Sequence, residues 1–262
     1  MATTLAQILE TTRAGLPELR ARGAQLERAA ARAPEPPAFS GAFGGRHLAL
    51  VAEVKRRSPS AGVIRDDLDP AELAGRYAGH GAAAVSVLTD GPFFGGSIAD
   101  LEAVARRVAI PVIRKDFILD ETQILEARAA GASAVLLIVR ALPAARLRAL
   151  LGFARASGLD ALVEVHTGPE LDEALEAGAR VVGVNSRDLD TFRIDVDGAW
   201  QLIGKIPADC VAIAESGMST AADVECAAAA GADGVLVGTA LSAAADPGML
   251  VRALSEVLRR GR

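Results

Sequence analysis

Eight short apolar runs, each separated from the next by a stretch long enough for a helix, constrain this chain more than any other feature. The runs are Leu48–Val54, Ala82–Leu88, Pro111–Lys115, Ala134–Val139, Ala161–Val165, Val181–Asn185, Val211–Glu215 and Gly234–Gly238. Each has strand length and is too apolar for a strand with one wet face. Such strands need cover on both sides, which is the condition of a parallel sheet flanked by helices. Helical stretches fill the gaps at Pro70–Gly79, Ser97–Val108, Thr122–Ala130, Pro143–Ser157, Pro169–Ala177 and Thr220–Ala230. Glycine precedes alanine just ahead of strands at Gly81-Ala82, Gly131-Ala132, Gly178-Ala179 and Gly231-Ala232. A left-handed glycine there ends a helix and turns the chain into the next strand. An open doubly wound sheet is the competing architecture. It lacks support, because Gly44-Gly45 precede the first strand and no Gly-rich dinucleotide loop follows it. The 262 residues suit one barrel of ~250. The expectation is therefore an α/β fold, a (β/α)8 TIM barrel over residues 48–262. Residues 1–47 form an N-terminal helical extension of the same single domain, helical from Leu5 to about Ala33 and stopped by Pro34, Pro36 and Pro37.

Charge and cysteine content narrow the partners. A net charge of −5, with basic residues scattered apart from Lys55-Arg56-Arg57, argues against nucleic acid or an anionic membrane as partner. Cys210 and Cys226 form no disulfide framework and read as small core residues. No uninterrupted apolar stretch suggests a signal peptide or a membrane span, so the expected location is cytoplasmic.

Barrels of this kind build their active sites at the C-terminal ends of the strands. Those ends supply Glu53 and Lys55, then Ser86, Lys115, Glu164, Asn185, Glu215 with Ser216-Gly217, and Gly238-Thr239, while the fourth, around Leu136–Val139, is apolar. Any one charge there reads equally well as a solvated loop residue. Two lysines and three glutamates converging on one mouth favour acid–base chemistry. Small residues after the last two strands expose backbone N–H groups to an anion, and Ser58-Pro59-Ser60 adds hydroxyls. Phe93, Phe94 and Phe117 follow strand ends, where they serve either the core or an aromatic substrate. His47 and His80 precede strands, on the face associated with stability, and His166 follows Glu164 toward the rim. No His/Cys/Asp spacing marks a metal site, and Ser216 lacks a nucleophile elbow.

Taken together, the motifs Glu53-Val-Lys55-Arg-Arg-Ser58-Pro59-Ser60-Ala-Gly62, Ser86-Val-Leu-Thr89-Asp90, Phe93-Phe94-Gly-Gly96-Ser97, Arg114-Lys115-Asp116-Phe117-Ile118, Val163-Glu164-Val-His166, Gly183-Val-Asn185-Ser-Arg187-Asp188-Leu189 and Ala214-Glu215-Ser216-Gly217 resemble the indole-3-glycerol-phosphate synthases of tryptophan biosynthesis. The match runs in order from about residue 48 to the end. The resemblance implies a carboxy-lyase that converts 1-(2-carboxyphenylamino)-1-deoxyribulose 5-phosphate to indole-3-glycerol phosphate without cofactor or metal. It implies Lys115 as general acid with Glu53 as its neighbouring carboxylate, Lys55 against the substrate carboxylate, and Glu164 as acid–base residue of the dehydration. Glu215, Asn185 and Arg187 would position the intermediate. Ser58, Ser60, Ser216, Gly217, Gly238 and Thr239 would hold the phosphate, and Phe94, Phe117 and Leu136 would line the aromatic pocket. Two departures, Ser186 for a second asparagine and Gly91-Pro92 before the paired phenylalanines, touch positioning and loop mobility. The implied partner is a phosphorylated small molecule, and the implied state a monomer or weak homo-oligomer. A Schiff-base aldolase using Lys115 and a non-catalytic sugar-phosphate binder remain the alternatives at this point.

Overall fold

The computed structural model describes residues 4–262. Eight parallel strands close into a barrel: β1 (Ala49–Val54), β2 (Ala84–Leu88), β3 (Val112–Lys115), β4 (Ala134–Ile138), β5 (Asp160–Val165), β6 (Val181–Asn185), β7 (Val211–Glu215) and β8 (Gly234–Val237). Each strand pairs with its successor in sequence, and β8 closes on β1 with Ala49 opposite Gly234. The expected (β/α)8 barrel is therefore present, with strand limits within two residues of those read from the apolar runs. Gly81, Gly131, Gly178 and Gly231 all have φ between 87° and 106°, the left-handed turn expected ahead of the strands.

Strand parity sorts the apolar residues into two shells, because successive side chains point to opposite faces. Leu50, Ala52 and Val54 of β1, with Val135 and Leu137 of β4, pack outward in the layer beneath the helices. Ala49, Val51, Ala84, Ile113, Ala134, Leu136, Leu162, Val181, Ile213 and Leu236 point inward and fill the barrel. Phe43, which precedes β1, seals the lower end: a Cβ on Gly234 would sit against its ring, and Phe39 packs edge-on to it at 5.2 Å.

The helices are α1 (Leu5–Ala21), α2 (Gly23–Arg32), α3 (Pro70–Gly79), α4 (Gly91–Phe94), α5 (Ile98–Arg107), α6 (Glu121–Ala129), α7 (Ala144–Ala156), α8 (Gly168–Glu176), α9 (Val196–Ile203), α10 (Ala221–Ala229), α11 (Thr239–Ala243) and α12 (Pro247–Ser255). The extension is helical as expected, but it breaks at Arg22. Gly23 begins a new helix there, consistent with its low helix propensity. Two helices, α4 and α11, are one turn long and too short to show a period. α9 and α12 are amphipathic but lie outside the helical stretches read from the sequence: Gly198 and its flanking aspartates interrupt α9, and Pro247-Gly248 open α12. Cys226 corrects one expectation. It is exposed, because α10 turns Val224, Ala227 and Ala228 toward the barrel instead; Cys210 is buried as expected.

Candidate active site

The parity that fills the barrel also gathers its charges. Glu53, Lys115, Glu164, Asn185 and Glu215 stand on the inward register at the C-terminal ends of β1, β3, β5, β6 and β7, so five distant segments meet at one mouth. The Lys115 Nζ lies 2.9 Å from Glu215 Oε2 and 3.4 Å from Glu164 Oε2. The Lys55 Nζ lies 2.9 Å from Glu53 Oε1, and Ser86 Oγ donates to Glu53 Oε2 at 3.4 Å. Asn185 Nδ2 donates to Glu164 Oε1 at 3.2 Å. The expected neighbour Glu53 helps to hold Lys115 charged, but the carboxylates in direct contact with the ammonium are Glu164 and Glu215. Glu53 is held by Lys55, its neighbour two residues on along the same face, while the longer reach of Lys115 spans the barrel to β5 and β7.

These partners decide the protonation states. Burial pushes the Lys115 ammonium toward deprotonation, but Glu215, Glu164 and Glu53 outweigh it and raise its pKa above the ordinary lysine value. Burial raises the Glu53 carboxyl, yet Lys55 and Lys115 carry it below its usual range. Glu164 is likewise lowered, with Lys115 and His166 overcoming its burial. Glu215 moves the other way: burial, reinforced by the Glu164 charge, raises it to about 7 against the pull of Lys115. One ammonium thus serves two carboxylates, and they do not share it equally. Glu215 Oε1 has no hydrogen-bond partner among the described residues, and Gly183 on β6 lies directly against it, leaving no room for a Cβ.

The residues open into a cavity of about 490 Å³. All six expected acid–base residues line it: Glu53, Lys55, Lys115, Glu164, Asn185 and Glu215. So do Ser60, Phe94, Phe117, Leu136 and Arg187, and, from the last two loops, Ser216, Gly217, Gly238 and Thr239. Ser58 does not. Its hydroxyl turns back to accept from the Ala61 N–H at 3.1 Å, stiffening the loop that presents Ser60. Phe93 also stays out, while Phe94 and Phe117 face each other with ring centroids 6.2 Å apart. Gly238 lies against the Glu53 carboxylate and would be blocked by a Cβ, so its lack of a side chain makes room for that group. Ser216 and Gly217 are both left-handed, at φ 67° and 77°; for serine this conformation stores strain of about 1–3 kcal/mol. Leu189, Phe192 and Ile194 after β6 complete the wall. Leu189 ends a motif already singled out, but no motif announced Phe192 and Ile194, apolar residues in a loop whose path only the fold defines.

A family model described as Indole-3-glycerol phosphate synthase matches residues 5–254. This chain belongs to the indole-3-glycerol phosphate synthase family. An indole-3-glycerol phosphate synthase 2 of Streptomyces coelicolor is 52% identical over 231 residues, spanning 88% of this chain and 90% of the relative. An indole-3-glycerol phosphate synthase of Mycolicibacterium gilvum is 47% identical over 248 residues, spanning 94% and 91%. Among solved structures, 3-hexulose-6-phosphate synthase from Salmonella typhimurium superposes with a TM-score of 0.65 at 18% identity, covering 82% of this chain and all of the other. That likeness concerns the barrel alone. The match of the indole-3-glycerol phosphate synthase family begins at residue 5, so it takes in the helical extension as well as the barrel.

Proposed function

We propose that this chain closes, decarboxylates and dehydrates 1-(2-carboxyphenylamino)-1-deoxyribulose 5-phosphate to indole-3-glycerol phosphate, a carboxy-lyase step of tryptophan biosynthesis in the cytoplasm. The observation that carries the reading is the Lys115 ammonium, buried and clamped between Glu164 and Glu215 in a cavity walled by two phenylalanines. An ammonium so held is a proton donor. It is not the free amine that a Schiff-base aldolase requires, which weighs against that alternative.

The aniline nitrogen makes the carboxylate-bearing ring carbon nucleophilic. As that carbon attacks the ketone, Lys115 protonates the developing alkoxide, and loss of carbon dioxide restores the aromatic ring. Lys55 opposes the substrate carboxylate and yields as its charge departs; Glu53 keeps that ammonium in place. In the dehydration Glu164 takes a proton from the methylene beside nitrogen, while the hydroxyl leaves as water with a proton from the ammonium side. Two protons are given and one is recovered, so each turnover draws one proton from solvent in place of the lost carboxylate. Phe94, Phe117 and Leu136 suit the anthranilate ring, and the backbone N–H groups of Ser216–Gly217 and Gly238–Thr239 suit the phosphate. Arg187, whose pKa is lowered by burial, and Asn185 border the sugar between them. No helix among the described residues is long and apolar enough to cross a membrane.

The test is an indole-fluorescence assay with the carboxyphenylamino-deoxyribulose phosphate. Lys115→Ala is expected to lose on the order of 10²–10⁴-fold in kcat while still binding phosphate ligands. Normal turnover by that variant rejects the reading.

A further inference from the structure

We propose that His166 is the proton relay to Glu164, connecting it to a second, polar cavity through which the proton consumed in each turnover enters. The inference rests on the reaction read above, since it is that reaction's balance which requires a proton from solvent.

His166 follows Glu164 by two residues and keeps its parity, but β5 has ended, so its ring lies behind the carboxylate instead of over the main cavity. Its side chain is 5% exposed. Nε2 lies 3.5 Å from Glu164 Oε1 and has no hydrogen-bond partner among the described residues. Nδ1 lies 3.3 Å from Glu170 Oε2, and the His166 backbone N–H donates to that same oxygen at 2.7 Å. Arg140 fixes the other side of Glu170, donating from Nε and Nη2 to Oε1 at 3.1 and 2.9 Å, and reaches Asp188 at 3.1 Å with Nη1. The charged groups around the ring are therefore Glu164 on its own strand and Glu170 on α8. One contact further out lie Lys115 on β3, Arg140 after β4 and Asp188 after β6.

Both ring nitrogens thus face carboxylates, Glu164 in the reaction cavity and Glu170 behind the ring, while His166 itself lines a second, polar cavity of about 620 Å³. That second cavity is lined by His166, Arg140, Thr167, Asp188 and Lys205, and meets the first at Asn185. A substrate seated over Glu164 would cover its front, whereas the route from behind stays open. A buried imidazole with an unpartnered nitrogen is costly unless that nitrogen has a task.

Glu170 accepts from the Nδ1–H of the neutral ring, which leaves Nε2 to carry the proton. Nε2 takes a proton when the ring swings toward the second cavity, hands it to Glu164 when the ring returns, and is left in the starting tautomer. One proton enters, one leaves, and no redox partner is needed. Glu164 passes the proton to Lys115 across the 3.4 Å contact, recharging the ammonium. His166 touches no substrate; it is a positioning residue that acts through Glu164.

Kinetics of His166→Ala and His166→Gln test the relay. Both are expected to lower kcat by roughly 10–100-fold with KM within about twofold, and to enlarge the solvent deuterium isotope effect on kcat. Added imidazole, fitting the space left in His166→Ala, is expected to restore kcat saturably. Glutamine can bridge the two carboxylates but cannot pass a proton, so a fully active His166→Gln overturns the relay. So does a loss in His166→Ala that imidazole leaves unchanged. A wild-type chain without turnover of the carboxyphenylamino-deoxyribulose phosphate sinks the proposed reaction itself, and the relay with it.

Discussion

At the residue scale, the chemistry depends as much on missing side chains as on present ones. Gly183 on β6 leaves the space that Glu215 Oε1 occupies, and a Cβ there meets the carboxylate too closely to coexist with it. In Gly183→Ala the Glu215 carboxylate must move, loosening its 2.9 Å hold on Lys115. The expected result is a kcat fall of roughly 10–100-fold, since misplacement of about 1 Å has costs on that scale. Steady-state kinetics check it, and an unchanged kcat would remove Glu215 from the working set. Lys55→Ser makes the complementary case. It deletes the ammonium proposed to meet the substrate carboxylate, so KM is expected to rise by about tenfold or more, the scale of a charge-assisted contact. A substrate saturation curve identical to wild type rejects that role. The identity of these residues was legible from strand-end position alone, because a period of two fixes which side of a strand each occupies. Their partners were not. Which carboxylate Lys115 reaches depends on the barrel's cross-section, and Glu53 was expected in the direct contact that Glu215 makes. Gly183 and Gly238 gave no sign of their spatial role, since a glycine's close approach to another strand's side chain has no local signature.

At the scale of elements, the alternation of strand and helix was readable because both faces of the barrel strands are buried and a left-handed glycine precedes five of the eight. Short helices escaped because a single turn has no period. The N-terminal extension shows a further limit. Its helical character was plain, but what it covers was not. Leu5, Ile8 and Leu9 on α1 join the same apolar cluster as Phe117 and Ile138, and Arg20 reaches Asp120, the N-cap of α6, at 2.6 Å. The extension therefore backs the loop that follows Lys115 at the end of β3 and carries Phe117. Ile8 is buried at 4% exposure, and Ile8→Ala is expected to cost about 2–5 kcal/mol. If α1 shapes the aromatic wall, KM rises in that variant at temperatures where the fold persists. Denaturation midpoints and KM measured together separate the two effects. Lost stability with an unaltered KM would reduce α1 to a prop.

Across the whole molecule, the site sets two opposing pH responses. Glu53 and Glu164 have folded pKa values below the ordinary glutamate value of about 4.3, so the stability they contribute is complete above that pH and is lost as pH falls through their folded values. Asp120, Glu170 and Asp223 are lowered too and steepen the same acid limb. Glu215 acts in the reverse sense. Its pKa is raised to about 7, so its contribution is complete below about 4.3 and is lost as pH rises through about 7. Stability is therefore expected to peak just above the acid limb and to decline up to about pH 7, a decline that belongs mainly to Glu215, with Asp90, also raised by burial, adding to it. Glu215→Gln removes that titration while keeping a group of the same size beside Lys115. Urea midpoints of the two proteins across pH 4–8 should converge at the acid end, and the variant should gain on wild type between about pH 4.3 and 7 and hold that gain above it. That gain would also measure what the chain gives up in stability to keep a third carboxylate beside two buried cations. Parallel curves would mean that Glu215 stays ionised throughout, and that Lys115 shares its charge evenly between its two partners.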